Sequence, residues 1–376
     1  MFCGWDFSFP WPYYTSHRGR FLLHLQPGMF FSQISAAGEI PGAIYNFALL
    51  PYNGRNLRNH TKGGDQMATV LLKAASFVFI IAFGYALKCF GFFKEGDHRF
   101  ISKIILNITL PASIICGMCG FESDNRLFWL ILLGLGCSVI PLLIGYAITA
   151  RLKDDKPLRA LTMINVAGYN IGCFALPFVQ TFFGTEATVF ICLFDIGNSM
   201  MMTAGSYAIT STMLHTGDGE RLSVGGFVKK FVSSTSFDVY MIVMALCLLK
   251  IQIPAVVGDF LRPCANANAF LAMLMLGTML RIERAPEKLK AVGKILSLRY
   301  AMDVLMAALM YFCTPFPLAV RQVLAVLAFA PIGALAPVFT ERCDGDGSLS
   351  SFACSISIFI SVIIIVALVL VMGVGA

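Results

Sequence analysis

Ten apolar runs of bilayer length divide the chain into two sets of five, separated by a polar stretch. A membrane-spanning helix needs about 20 predominantly apolar residues. The runs lie at about 68–88, 101–120, 127–150, 159–183 and 187–211, and then at about 238–253, 255–281, 294–313, 318–340 and 350–374. Ile253-Pro254-Ala255 marks the boundary between the sixth and seventh runs. The pattern predicts an all-α integral membrane protein with ten transmembrane helices.

The polar stretches divide the chain into a leader, two repeats and a linker. Residues 1–66 are rich in Gly, Pro, Asn and aromatic residues and contain no run of bilayer length, so they predict a poorly structured N-terminal extension. Met67 opens the first apolar run and is a candidate natural start. Residues 67–211 and 237–376 are then two five-helix repeats, and residues 212–236 are the linker between them.

Two apolar runs contain a matching break of Pro, Gly and, in the first, Asn. The fourth run contains Asn165-Val-Ala-Gly-Tyr-Asn-Ile-Gly-Cys-Phe-Ala-Leu-Pro177, and the ninth contains Ala330-Pro-Ile-Gly-Ala-Leu-Ala-Pro337. A helix that breaks within the bilayer exposes backbone groups that only protein or a water-filled cavity can satisfy. Interrupted segments at matching positions of two halves indicate the binding site of a transporter.

Composition favours lipid as the solvent of this chain. Hydrophobic residues make up 57% and charged residues 13%, against about 25% charged residues in soluble domains. The net charge of +7 lies in loops between apolar runs, so we expect no nucleic-acid partner. All five histidines lie outside the runs, and the 12 cysteines are scattered, with Cys116 and Cys119 near a helix end. No metal, redox or nucleotide cofactor is therefore expected.

Basic residues predict the orientation. One set of loops holds 18 Lys and Arg residues and the alternate set holds 4. Basic loops stay in the cytoplasm, which places the linker inside and both termini outside a plasma (inner) membrane. Five helices in each half make the halves opposite in topology, as an inverted repeat requires.

Three stretches resemble the auxin efflux carrier family, which includes bacterial permeases and PIN-type carriers. They are Leu106–Ala112 with its Leu-Pro-Ala signature, the break from Asn170 to Pro177, and the apolar run Ala267–Gly277 that precedes a basic loop. The resemblance covers about residues 67–376. It departs from the family at Ala175, where Gly is frequent, and in an acidic segment after Glu341. It implies a 5+5 inverted repeat with crossing broken helices 4 and 9, a fold like that of bile-acid symporters and Na⁺/H⁺ antiporters, and elevator-like motion. A homodimer follows by analogy alone.

The candidate substrate-binding and crossover residues share the two breaks or face them. Asparagine amides can donate to a carboxylate or stabilise unwound carbonyls, glycines allow close backbone approach, and prolines fix the breaks. The N-terminal ends of the half-helices are candidate anion sites. The set comprises Asn165, Asn170, Gly172, Pro177, Asn198, Pro331, Gly333 and Pro337.

Charged residues inside the runs add one candidate for coupling. Asp195 lies centrally in the fifth run, where ionisable residues are functional by default, and it is the candidate carrier of a coupling proton. Asp303 lies four residues after Arg299 and predicts an ion pair near the cytoplasmic interface. Lys73 lies near the outer end of its helix and is expected to snorkel. Ser355 and Ser357 are weaker candidates for the same cavity.

We therefore expect a secondary active or facilitative transporter of small organic anions, such as auxin-like acids, malate or malonate, and not an enzyme. A sodium-coupled symporter or a cation/proton antiporter of the same fold remains an alternative. The absence of acidic residues between Ala328 and Thr340 makes sodium coupling less favoured than proton coupling. A non-transporting sensor would be expected to carry a soluble output domain.

Overall fold

The computed structural model describes residues 63–94, 96–120, 125–152, 155–216, 235–249, 251–281 and 286–374. Residues 1–62 of the predicted leader and most of the predicted linker lie outside the described residues, and the first helix begins at Gly63, four residues before Met67. Helices form nearly all of the described part: α1 (Gly63–Cys89), α2 (His98–Met118), α3 (Arg126–Arg151), α4 (Lys156–Val166), α5 (Ile171–Phe183), α6 (Thr185–Leu214), α7 (Thr235–Leu248), α8 (Ala255–Met279), α9 (Pro286–Cys313), α10 (Leu318–Leu327), α11 (Ala336–Arg342) and α12 (Gly347–Val371).

Six of these helices are long and apolar enough to cross a membrane: α1, α2, α3, α6, α9 and α12. Two further predicted spans are each divided in two, α4 with α5 and α10 with α11. The helix α7 has 14 residues, and α8 has 25 but carries the exposed ion pair Asp259–Arg262. Many large apolar side chains on the outer surface are exposed, which suits contact with lipid. The chain is an all-α, multi-pass membrane protein.

Three turns of π-helix widen the helices, and two of them stand directly before a Leu-Pro pair. These two turns are Ile105–Thr109 within α2 and Ile171–Ala175 at the start of α5, and each is followed by leucine and then proline. Proline has no N–H, and its ring clashes with the carbonyl four residues earlier. The wider turn accommodates that clash without ending the helix. The third turn, Met201–Gly205, lies within α6.

Glycines bring two pairs of helices into backbone contact. Between α1 and α8, a Cβ on Gly84 or on Gly277 would overlap the other helix's backbone. Between α3 and α6, the same holds for Gly134 and Gly197. Small residues allow this approach, which is a main source of packing energy between helices in lipid. These contacts fix α6, and with it Asp195 and Asn198, against α3.

Candidate functional site

The two predicted helix breaks meet and pair with each other. The first break separates α4 from α5 at residues 167–170, and the second separates α10 from α11 at residues 328–335. Tyr169 and Ile332 form an antiparallel β-bridge, and the Asn170 N–H donates to the Pro331 carbonyl at 2.9 Å. Gly168 adopts φ +71°, a left-handed conformation that favours glycine. The unwound backbone groups are therefore partly satisfied by one another.

Asn198 from α6 holds the first break in place with all of its amide groups. Its Oδ1 accepts from the Tyr169 N–H at 2.9 Å and from Ser138 Oγ at 3.0 Å. Its Nδ2 donates to the Tyr169 carbonyl at 2.9 Å and to Asp195 Oδ1 at 2.8 Å. Both amide protons and both lone pairs are used. Asn198 therefore stabilises unwound backbone, one of the two roles that the sequence left open.

Arg299 from α9 lies fully buried at the crossing and binds carbonyls of both breaks. Its terminal nitrogens donate to the carbonyls of Asn165 at 3.1 Å, Gly168 at 3.0 Å and Ala330 at 2.9 Å. A cation at helix C-termini is favourable because those ends carry partial negative charge. Arg299 thus neutralises the C-terminal ends of the half-helices α4 and α10 together.

The predicted ion pair between Arg299 and Asp303 is present and is buried in the protein interior. Arg299 Nε lies 3.6 Å from Asp303 Oδ2, and both side chains are fully buried. Tyr169 completes the cluster: its hydroxyl donates to Asp303 Oδ1 at 3.1 Å, and its ring centroid lies 5.0 Å from the guanidinium carbon. The burial has a reason that the local spacing does not show: Arg299 reaches the first break, more than 130 residues earlier in sequence.

Asp195 is buried at the crossing and accepts two hydrogen bonds. Asn198 Nδ2 donates to Oδ1 at 2.8 Å, and the Tyr240 hydroxyl from α7 donates to Oδ2 at 2.8 Å. Tyr240 is buried and was not identified from the sequence. The carboxyl group is therefore oriented by one helix of each half of the chain.

A cavity of about 470 Å³, here called the crossover cavity, lies beside the paired breaks. Ligand pockets generally have volumes of about 300–1,000 Å³. Its wall is largely apolar, with polar side chains at Asn170, Asp195, Asn198 and Tyr240. All three π-helical turns or their flanking residues contribute to it, through Leu106 and Leu110, Ile171 to Cys173, and Met202 and Thr203. Such turns are frequent at functional sites.

Five of the predicted site residues line the crossover cavity: Asn170, Gly172, Asp195, Asn198 and Gly333. Asn170 is 8% exposed, and its side-chain amide has no hydrogen-bond partner among the described residues. Pro331 lies in the second break and contributes its carbonyl to the pairing described above. Pro177 follows the π-helical turn within α5. Pro337 is the second residue of α11, a position where proline is tolerated.

Asn165 lies apart from the crossover cavity. Its Nδ2 donates to the Leu161 carbonyl at 2.7 Å and to Thr340 Oγ1 at 3.3 Å, and its Oδ1 accepts from Ser350 Oγ at 2.7 Å. It therefore joins α4 to α11 and α12. Ser357 Oγ similarly accepts from the Ile332 N–H at 3.1 Å and supports the second break.

Two other side chains singled out in the sequence, Lys73 and Ser355, bind backbone groups of other helices or their ends, and Ser355 does not line the crossover cavity. Lys73 Nζ donates to the Thr181 carbonyl at 3.1 Å, near the C-terminus of α5. Ser355 Oγ accepts from the Arg281 N–H at 2.9 Å after α8. In the acidic segment, Asp346 caps α12 by accepting from the Leu349 N–H at 2.9 Å. Asp346 therefore has a structural role as the N-cap of α12.

Met202 lies between the glycines of the two breaks. A Cβ on Gly168 would overlap the Met202 sulfur, and a Cβ on Gly333 would overlap its terminal methyl group. A side chain at either position would displace the end of the Met202 side chain, and Gly168 is in addition favoured as glycine by its left-handed φ. Met202 also lines the crossover cavity, so the thioether is both a packing element of the crossing and part of the cavity wall.

Ionisable groups near the site show no arrangement for a metal ion. Within the described part of the chain, no group of three or more His, Cys, Asp or Glu residues is placed to hold one. Outside the membrane spans, burial raises the pKa of Cys343 to about 11, so this thiol is protonated at neutral pH. It packs in the interior as a small apolar side chain.

Comparison with known proteins gives two findings. Residues 69–219 match the model of the membrane transport protein family, the auxin efflux carrier family. The chain is also 23% identical over 280 residues to an uncharacterized transporter of Methanothermobacter thermautotrophicus, a match that covers 73% of this chain and 89% of the relative. Together these two matches confirm the resemblance to the family that was drawn from the sequence, and the relative is itself named as a transporter.

Proposed function

We propose that this protein, a permease of the auxin efflux carrier family, carries small organic anions across the plasma membrane through the crossover cavity. The observation that carries the proposal is the position of that cavity. It lies where two interrupted helical segments pair with each other, and both segments contribute to its wall. A site at such a crossing becomes accessible from either side when one bundle moves against the other.

Helix packing supports an inverted repeat of ten spans with elevator-type alternating access. If spans are numbered as predicted, span 1 packs on span 7 and span 2 on span 6; span 3 packs on span 5 and span 8 on span 10. Replacing each span by its counterpart in the other half turns the pair 1–7 into the pair 6–2. The same replacement turns the pair 3–5 into the pair 8–10. The paired breaks belong to spans 4 and 9, which are counterparts of each other in the same scheme.

Cationic residues support the proposed orientation. Two of the 18 Lys and Arg residues assigned to cytoplasmic loops, Arg159 and Arg299, are buried in the structure. The remaining count is 18 − 2 = 16, against 4 on the other side. The bias toward a cytoplasmic linker and extracytoplasmic termini therefore persists.

Asn170 is the proposed polar contact of the substrate, and Asp195 is the proposed carrier of the coupling proton. The Asn170 amide has donors available toward the cavity, whereas Asn198 uses all of its groups on the protein. A substrate anion beside the Asp195 carboxylate would place two negative charges in one apolar cavity, which is costly. We therefore assign the coupling proton to Asp195, whose carboxyl group then carries no charge while the anion is bound.

Arg299 supports a mechanism without sodium. Its guanidinium already lies among three carbonyl oxygens from both breaks. Backbone carbonyls of unwound helices are the ligands that transporters of this architecture offer to sodium. A resident side-chain cation serves the same electrostatic purpose permanently, so we expect organic-anion currents that do not require a sodium gradient.

Electrogenic currents from purified protein on a solid-supported membrane test the proposal. Malate, malonate, citrate, lactate and indole-3-acetate are each applied with and without pH and sodium gradients. We expect saturable transport of at least one acid, lost in Asn170→Ala and retained in Asn107→Ala, an exposed asparagine of α2. One proton carried with a monovalent anion moves no net charge, so lactate and indole-3-acetate are followed by uptake of the radiolabelled acid, and a current is expected from acids with two or more negative charges. Silence with every acid but a current driven by sodium or pH alone would favour the exchanger alternative.

The Asp195→Asn variant tests the assignment of the proton. Asparagine keeps the size of the side chain and can still accept from Tyr240, but it cannot take up a proton. We expect transport by the variant to lose its dependence on the pH gradient. A pH dependence equal to that of the wild type would place the proton on another group.

A further inference from the structure

A second cavity of about 310 Å³ adjoins the crossover cavity, and its lining is strongly basic. We call it the basic vestibule and define it by Lys88, Lys94, His98, Arg99 and Arg281; among the described residues of its lining, Glu341 is the one carboxylate. These residues come from the end of α1, the connection to α2, the start of α2, the residue pair after α8, and α11. Cations from two separate regions of the chain, residues 88–99 and Arg281, therefore converge on one space.

The two cavities share part of their walls. His98, Arg99, Met279, Ala334 and Val338 line both of them. A small molecule can therefore contact the crossover cavity and the basic vestibule at the same time. Arg99 is the only Lys or Arg in the described lining of the crossover cavity.

The crossing itself is a poor place for another negative charge. Its buried ionisable groups include the carboxyl groups of Asp195 and Asp303 against the single guanidinium of Arg299. The N-terminal end of α5 already faces a carboxylate, because Asp195 Oδ2 lies 3.9 Å from where a Cβ on Gly172 would be. The other half-helix, α11, has seven residues and contributes little dipole.

Arg99 and Lys94, by contrast, have donors available for an anion. Both side chains are exposed, and neither has a hydrogen-bond or ion-pair partner among the described residues. Lys88 differs, because its Nζ donates to the Leu280 carbonyl at 2.9 Å. An arginine guanidinium binds a carboxylate with two parallel hydrogen bonds, which gives geometric selectivity as well as charge.

We infer that the basic vestibule is the anion-recognition site, in which Arg99 and Lys94 bind the substrate's carboxylate while the rest of the molecule occupies the crossover cavity. The inference rests on the proposed function and specifies where the charge is bound. The apolar wall around Leu106, Met275 and Leu335 then contacts the uncharged body of the substrate. One carboxylate of the substrate thus lies in the basic vestibule, and the rest of the molecule extends toward Asn170.

The test compares Arg99→Gln and Lys94→Gln with Arg342→Gln in the current assay. Arg342 is an exposed arginine at the end of α11 that does not line the basic vestibule. With the acid that the wild type transports, we expect each vestibule variant to raise KM about tenfold at low ionic strength. The maximal current should stay near the wild-type value, and Arg342→Gln should leave both parameters unchanged.

Two further measurements distinguish recognition from a general surface charge or a folding defect. Arg99→Lys should recover part of the lost affinity, because it restores the charge without the two parallel hydrogen bonds. The primary amide of the same acid should inhibit wild type and Arg99→Gln equally, since it lacks the charge that Arg99 binds. An unchanged KM in Arg99→Gln, or a change equal to that in Arg342→Gln, would overturn the inference while leaving the carrier function intact. A wild type without any acid-dependent current or uptake would instead overturn the proposed function.

Discussion

Replacing Arg299 with methionine is the perturbation for which the structure gives the clearest expectation. Methionine keeps most of the apolar stem but removes the charge and every donor. The carbonyls of Asn165, Gly168 and Ala330 lose a partner, and the buried carboxylate of Asp303 loses its counter-charge. All of these groups lie at the paired breaks, where the fold has no regular helix to satisfy them.

The magnitude follows from these losses. Breaking a buried ion pair by removing one partner costs about 3–5 kcal/mol. Each buried carbonyl left without a donor adds about 1–3 kcal/mol unless water reaches it. Even with water at two of the carbonyls, we expect Arg299→Met to lower the free energy of unfolding by at least about 4 kcal/mol. Asp303 accounts for most of that loss.

The assay is thermal unfolding of purified protein in detergent, with two comparison variants. Arg321→Met is the control, because Arg321 donates to one carbonyl, that of Tyr311, at 3.0 Å and is only partly buried. The double variant Arg299→Met/Asp303→Leu removes the charge that the single variant leaves unpaired. Removing that charge should recover stability, but only about 2 kcal/mol, because the Tyr169 hydroxyl then loses its acceptor.

The ordering of the midpoints decides the question. We expect Arg299→Met to unfold at the lowest temperature, followed by the double variant, then Arg321→Met close to wild type. An Arg299→Met midpoint no lower than that of Arg321→Met would refute the neutralising role of Arg299. A double variant less stable than Arg299→Met would show that Asp303 is not the group left uncompensated.

Three further predictions concern the walls of the crossover cavity. Gly333→Ala should reduce transport at normal expression, and adding Met202→Ala should restore it, because the added methyl group overlaps the Met202 side chain; failure of the restoration in flux assays would show that the displaced Met202 side chain is not the cause of the loss. Pro331→Ala should slow turnover by allowing the second break to wind into helix, and an unchanged rate would mean that the break is only a kink. Tyr240→Phe removes one donor to Asp195 and should shift the pH dependence of transport, whereas an unshifted pH profile would remove Tyr240 from the proton site.

The helix breaks could be predicted from the sequence because their cause is local. Proline lacks an amide donor and glycine permits left-handed backbone, so Gly168 and Pro331 mark the breaks wherever the chain folds. The division between α7 and α8 was visible for the same reason, since Pro254 precedes the first residue of α8. The β-bridge between Tyr169 and Ile332 shows that the two breaks, which are each predicted locally, lie next to each other in the structure.

The roles of Arg299 and Tyr240 could not be predicted, because their partners are distant in sequence. Arg299 has Asp303 four residues away, a spacing that also suits an exposed pair on a helix surface. Its three carbonyl partners lie 31 to 134 residues away. Tyr240 lies in an apolar run, where a phenol ring is expected to pack, and its bond to Asp195 crosses from one half of the chain to the other.

Among the candidate site residues, side chains with several hydrogen-bonding groups were the hardest to assign. Asn165, Asn170 and Asn198 have the same chemistry in the sequence, and only their surroundings separate them. Asn165 joins helices, Asn198 satisfies unwound backbone, and Asn170 faces the cavity without a partner among the described residues. His98 was placed outside the apolar runs, yet it begins α2 and lines both cavities.

The central claim is that the transported molecule binds in the crossover cavity, and substrate protection of an introduced cysteine tests it most directly. Ser199 lines that cavity, and Ser199→Cys is nearly isosteric. Proteoliposomes are treated with a water-soluble maleimide, and labelling is quantified by peptide mass spectrometry, with the exposed native Cys89 as internal reference. We expect the transported acid to slow labelling at position 199 with the same half-saturating concentration as the current, while labelling of Cys89 is unaffected. Equal labelling of position 199 with and without saturating acid would contradict the account, because the substrate would then bind elsewhere.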